Sequence, residues 1–194
     1  MFNLTLDTSC FSLRKEENSL LNELLELQAD SKILLYYAPR TLQELMMSIA
    51  KKKELPKVIE MKIKYRFRDV FRDYLENMDE IDPELEWEDE FHEIGLFVTR
   101  VCLEITDKNV IEKLEVSEEN LRRYLDSQKN HNSHTDIDIF TFHVMNKGNI
   151  FLTKDVPLFV SNQKTRETLE NKYNTKIRLL NKDFIEELKN MIEA

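Results

Sequence analysis

Five acids stand where a carboxylate would be costly unless something pairs with it. Asp7 ends the apolar run Leu4-Thr5-Leu6, and Asp155 ends Ile150-Phe-Leu-Thr-Lys. Both runs read as buried strands. Glu44 falls in the first turn of a helix after Lys32–Tyr37, a further strand-like run, and Asp136 and Asp138 fall at the start of another helix. In an open parallel sheet the carboxyl ends of the strands share one rim, so these acids would meet there. Carboxylates held together repel one another. A hard divalent cation that prefers oxygen, Mg²⁺ or Mn²⁺, resolves the repulsion. Such an ion activates water and clamps a phosphate, which is the chemistry of phosphodiester hydrolysis.

The elements that must position these acids follow from periodicity. Phe2–Leu6 is a strand. Glu16–Gln28 carries Leu20, Leu21, Leu24, Leu25 and Leu27, a stripe near the helical period. Lys32–Tyr37 is a continuous apolar strand broken by Pro39, and a helix opens at Thr41. This alternation predicts a parallel sheet with right-handed crossovers. The rhythm returns in the last third. Asp136 to Gly148 reads as a helix with Gly148 as its C-cap, after a polar loop at His131–Thr135. Pro157 opens another helix. Thr175–Leu180 is the last strand, and Asn181 caps the final helix. Two glycines and four prolines in 194 residues speak against a turn-rich all-β fold. The fold class expected is a three-layer α/β/α arrangement, one domain over 1–194 carrying a helical insertion at 51–116.

That middle segment shows helical periodicity and no convincing strand. Phe91, Ile94, Phe97, Val98, Val101 and Leu103 suggest one long helix, and Tyr65 to Tyr74 another. A basic block that includes Lys51, Lys52, Lys53 and Arg66 precedes an acidic run from Asp73 to Glu93. Most charged runs are solvated faces, and these two could pair with each other. The sharper reading puts the basic block on phosphates. The formal net charge of -9 gives no global attraction for nucleic acid, so binding would need such a local patch. Cys10 and Cys102 make no metal-type spacing and no disulfide framework, which fits a reduced, cytoplasmic setting. No apolar run is long enough to span a bilayer, and the start has no signal-peptide pattern.

Each acid also has a plainer role. Glu44 closes Thr41-Leu-Gln-Glu, a capping box. Asp136 and Asp138 would suit a helix N-terminus, and Asp155 could be a turn residue. Asp7 has the weakest alternative, with no Gly or Pro behind it. His92 and His143 fall in helical patterns and read as core or surface residues.

Taken together, Leu6-Asp7-Thr8-Ser9, Thr41-Leu-Gln-Glu44-Leu45, Asp136-Ile-Asp138-Ile139 and Gly148-Asn-Ile-Phe-Leu-Thr153-Lys-Asp155 resemble the motifs of PIN domain nucleases, in the family's order. The resemblance covers 1–47 and 117–194. It implies a parallel sheet, an acidic pocket binding Mg²⁺ or Mn²⁺, and endonucleolytic cleavage of RNA. Asp7, Asp136 or Asp138, and Asp155 would hold the metal, Glu44 would complete the acidic set, and Ser9 and Thr153 would orient ligands or a water. The insertion is larger than in compact toxin ribonucleases. Its placement is similar to that in the minimal protein-only RNase P branch, which matures the 5′ end of tRNA. The implied partners are RNA (tRNA or mRNA) and an antitoxin or other protein if there is one; the long amphipathic helices of the insertion, which one domain would not fully cover, point separately to a second copy of the chain.

Two other functions compete. A haloacid-dehalogenase-like phosphatase needs an acid two residues after its nucleophilic Asp, and Ser9 stands there instead. A degenerate PIN-like module would bind RNA or protein through the helical insertion and would need no cation.

Overall fold

The computed structural model describes residues 1–12, 18–42, 44–45, 78–81, 88–106, 133–155 and 158–193. Five strands form one sheet: β1 (Phe2–Leu6), β2 (Ile33–Tyr37), β3 (Asp79–Glu80), β4 (Ile150–Thr153) and β5 (Lys176–Leu179). Their order is β3-β2-β1-β4-β5 and every pair is parallel. The chain therefore builds outward from β1 in one direction and then, from β4, in the other. Leu6 pairs with Tyr37 on one side and Leu152 on the other, so β1 is the centre of the sheet.

Side chains alternate between the two faces of a strand, and both faces here are apolar. Leu4, Leu6, Ile33, Leu35, Ile150 and Leu152 pack in one core with α1 (Ser19–Ala29) and α5 (Lys182–Glu193), through Leu21, Leu24, Phe184, Ile185 and Leu188. On the other face Phe151 and Ile177 meet Val98 of α2 (Glu88–Thr106), Phe140 of α3 (Ser133–Met145) and Leu169 of α4 (Gln163–Tyr173). This is the expected three-layer α/β/α architecture. Phe140, Phe151 and Phe159 form its aromatic centre, with ring centroids 5.2 to 5.6 Å apart.

The structure corrects several boundaries. β3 lies in the stretch read as wholly helical. It comprises only Asp79 and Glu80, both exposed, and is recruited through backbone pairing with Tyr36 and Tyr37. An acidic pair on an edge strand carries no apolar alternation to detect, and it also discourages pairing with another chain. The helix expected around Phe91–Leu103 is α2, and it packs on α3 and α4 as part of one layer. So at least these parts of 51–116 belong to the body of the fold. Ser133 already begins α3, inside the segment read as a loop. The expected helix start at Pro157 lies outside the described residues; α4 begins at Gln163, where the Asn162 side chain accepts the Thr165 N–H. The Asn181 cap is present, its Oδ1 accepting the Phe184 N–H at 2.8 Å. Lys51, Lys52, Lys53, Arg66 and the expected cap at Ser117 lie outside the described residues.

Gly148 is needed for a different reason than capping. The left-handed position after α3 is Lys147, with φ 54°. Lys147 N–H donates to Val144 O and Gly148 N–H to His143 O, closing the turn in the Schellman manner. Ser31 and Asn174 play the Lys147 role after α1 and α4. Gly148 is small because a Cβ there would lie 2.2 Å from His143 Nδ1.

His143 is itself fully buried, against Phe140 and Phe151. Thr175 Oγ1 donates to Asn149 O, so it accepts from His143 Nε2–H at 2.7 Å. Nδ1 is then the acceptor, taking the Thr5 hydroxyl at 2.9 Å. One neutral ring thereby ties α3 to β1 and to the entry of β5. Burial pushes its pKa down to about 3. A charge on this ring would be desolvated and would have one donor too many.

Two consequences are measurable. Gly148→Ala should cost about 2–4 kcal/mol in urea unfolding, because a core imidazole rather than a flexible tip must give way. His143 should stay neutral across pH 5–7 by NMR. The unfolded ring takes a proton near pH 6.5 and the folded one only near pH 3. Its stabilisation is therefore complete above about 6.5 and is lost as pH falls through that window, by roughly 1.4 kcal/mol per unit. A His143 midpoint near 6.5 would contradict this.

Candidate functional site

The strand order fixes where a site belongs. β1 and β4 are adjacent, yet the chain leaves them in opposite directions, which makes their carboxyl ends the switch point of the sheet. Asp7 follows β1 directly, and its N–H donates to Leu152 O of β4 at 2.9 Å. Thr153, Lys154 and Asp155 leave the end of β4 beside it.

Asp7 is 2% exposed. Its Oδ2 accepts two hydroxyl hydrogen bonds, from Ser9 Oγ at 2.5 Å and from Thr153 Oγ1 at 2.7 Å. Each hydroxyl is held in turn by a backbone donor: Lys154 N–H reaches Ser9 Oγ and Asp155 N–H reaches Thr153 Oγ1, both at 2.8 Å. With both hydroxyl hydrogens aimed at Asp7, the 3.0 Å approach of Ser9 to Thr153 is two donors meeting on one acceptor. The other oxygen, Oδ1, is buried and accepts no hydrogen bond. Burial raises the Asp7 pKa. The two hydroxyls and the nearby Thr8 and Ser9 N–H groups pull it part of the way back.

Three more acids act on the same spot. Asp136, in the first turn of α3, is pushed up to about 9 by burial and then by the charges of Asp7, Glu44 and Asp155. Glu44 is raised by burial and by Asp7. The Thr8 and Thr135 side chains and the charge of Arg40 offset part of that rise. Asp155 is exposed and marks the open side of the group. Asp138 is buried in the same helix. It is not among the charges that raise Asp136. Two residues along a helix are separated by about 200° of rotation, so only one of the pair can face the rim.

Glu44 does not close a capping box. Residues 39 and 40 are already helical, and Thr41 N–H donates to Ala38 O at 2.9 Å. Thr41 Oγ1 is buried and makes no hydrogen bond. Sequence reading missed Arg40 and Thr135, which have no motif of their own beyond adjacency to the acids. It also missed Cys102, whose thiol is pushed up to about 12 by burial and by Asp136. Both cysteines are free and buried.

The donor set suits a hard cation: four carboxylates, one with a buried bare oxygen, in an environment that penalises their charge. Among the described residues, however, no group of three or more His, Cys, Asp or Glu side chains is already arranged to hold an ion. The acids act on one another through their charges.

Among the described residues Met1 is the one large apolar side chain left exposed. The remaining stretches of the insertion read as helical lie outside the described residues. No helix of the described residues is long and apolar enough to cross a membrane. Compared with known protein families, curated proteins and solved structures, the chain gives no significant match.

A site built for an ion should be strained without one. In metal-free protein the Asp136 contribution to stability is greatest below pH 3.8 and is lost as pH rises toward 9. Asp136→Asn should therefore be more stable than wild type by about 1–3 kcal/mol at pH 8, with a smaller gap at pH 5. Denaturant melts at the two pH values in EDTA check this, and an equal or reversed gap would contradict it.

Proposed function

We propose that the chain is a PIN-like, Mg²⁺- or Mn²⁺-dependent endoribonuclease. The observation that carries the reading is the convergence of Asp7, Glu44 and Asp155 on Asp136 at the switch point of the sheet. The resemblance in motif order supplies the substrate class, RNA. A cytoplasmic setting suits both the free cysteines and such a substrate.

In this reading Asp7, Asp136 and Asp155 hold the ion and Glu44 completes the acidic set. A bound divalent cation would neutralise the carboxylates and act as a Lewis acid toward water and a phosphodiester. Ser9 and Thr153 hold one oxygen of Asp7, which leaves Oδ1 as the oxygen available to a ligand. With its pKa pushed up to about 9, Asp136 holds a proton at neutral pH, and binding an ion would require its loss. Glu44, whose pKa is raised by burial and by Asp7, would hold a second ion or a water on the first.

The second reading is a degenerate PIN-like binding module. It is favoured by the finding that no group of three or more His, Cys, Asp or Glu side chains among the described residues is arranged to hold an ion.

Cleavage of a mixed labelled RNA pool separates the two. Wild type should cut with Mn²⁺ or Mg²⁺ and not with EDTA, and Asp7→Asn should lose at least a hundredfold in rate, about 3 kcal/mol of barrier. Cutting by Asp7→Asn at the wild-type rate would contradict the nuclease reading. Absence of both cutting and divalent binding would favour the module.

A further inference from the structure

Four carboxylates and one divalent cation still leave net negative charge where a phosphodiester, itself an anion, would have to approach. A cation beside the acids, and not already engaged by one of them, would lift that barrier. Among the described residues, Arg40 and Lys154 are the basic side chains to weigh. Arg40 is committed, since its charge acts on Glu44. Lys154 is not. Among the described residues it forms no ion pair, and its Nζ makes one long contact, 3.5 Å, to the Cys10 carbonyl oxygen.

The backbone of Lys154 is held in place. It lies between Thr153, which binds Asp7, and Asp155, and its own N–H is fixed on Ser9 Oγ. The stem of the side chain thus starts from the rim of the acid group, half-buried, with its ammonium over the turn Thr8–Cys10. A single neutral carbonyl at the limit of hydrogen-bond distance is a weak partner for an ammonium. A phosphate oxygen would replace it readily.

From this juxtaposition we propose that Lys154 contacts a phosphate of the substrate strand at the open side of the Asp7–Asp136–Asp155 group. The proposal rests on the nuclease reading and adds to it a contact with substrate that is independent of base identity. A lysine serves here as a point charge with three donors and reads no sequence. The basic block at 51–72 is not required for this contact.

The test uses the full chain with Lys154→Ala, Lys154→Gln and Lys154→Arg. The backbone N–H on Ser9 survives all three changes, and a thermal melt confirms folding. Steady-state cleavage with Mn²⁺ should show KM for single-stranded RNA raised roughly tenfold in the Ala and Gln variants, kcat changed less, and Arg restoring most of the loss. The slope of log(kcat/KM) against log[salt] should become shallower by about 0.7, the value for one phosphate contact on a single strand. Binding of fluorescein-labelled RNA to Asp7→Asn, with and without Lys154→Ala, should show the same shift for RNAs of different sequence. Wild type that cuts RNA, beside a Lys154→Ala protein with unchanged KM and salt slope, would overturn the role of Lys154 alone. Wild type that neither cuts nor binds RNA would overturn the nuclease reading, and Lys154's role with it.

Discussion

Asp7 is a buried carboxylate with one oxygen fully engaged and the other bare, and the rest of the rim is arranged around that asymmetry. Ser9 reaches it through a tight turn after β1, and Thr153 reaches it across the β1–β4 pair. The backbone of the β4 exit holds both hydroxyls in place. Breaking the register of β1 on β4 would release the whole assembly. Burial raises the pKa of such an acid, and the donors gathered on one of its oxygens lower it only in part. The fold thus holds an acid that it has not fully satisfied, and it places a second acid, Asp136, where the first is felt.

The same sheet carries an opposite solution a few residues away. Thr5, one position round the pleat on β1, meets His143, a titratable group that is buried, neutral and satisfied at both ring nitrogens. No donor or acceptor of that ring is left over, and Gly148 lets it pack against the backbone. The contrast is informative. A buried polar group serving only the fold is completely paired. The acids at the rim are not, and their mutual repulsion lowers stability wherever they ionise together. Unrelieved strain confined to one rim is the pattern of a functional site.

Much of this was readable in the residues. Strands β2 and β4 are dense apolar runs because both faces of the sheet are covered, and β1 and β5 mix apolar with polar residues, so their positions and parallel sense followed from composition and spacing. β3 was not readable, because two exposed acids joined through backbone hydrogen bonds leave no side-chain pattern. Gly148 was read as a cap, but Lys147 takes the strained conformation, and the true reason lies in a contact from within the preceding helix. Glu44 satisfied a local capping pattern that the early start of its helix makes irrelevant. Asp136 and Asp138 could not be separated by sequence, since the distinction depends on the rotation of α3 against the sheet. The single long contact of Lys154 Nζ, to the Cys10 carbonyl oxygen, is likewise set by the fold and not by a local pattern.

Titration calorimetry of the wild-type protein with Mn²⁺ at pH 7, in two buffers of different ionisation enthalpy, tests the central claim most directly. If the acids at the switch point form a cation site, one Mn²⁺ should bind per chain. About one proton should be released as Asp136 gives up the proton it holds below about pH 9, and Asp136→Asn should abolish that release. Absence of any Mn²⁺ binding, or binding that Asp7→Asn and Asp136→Asn leave unchanged, would contradict the account.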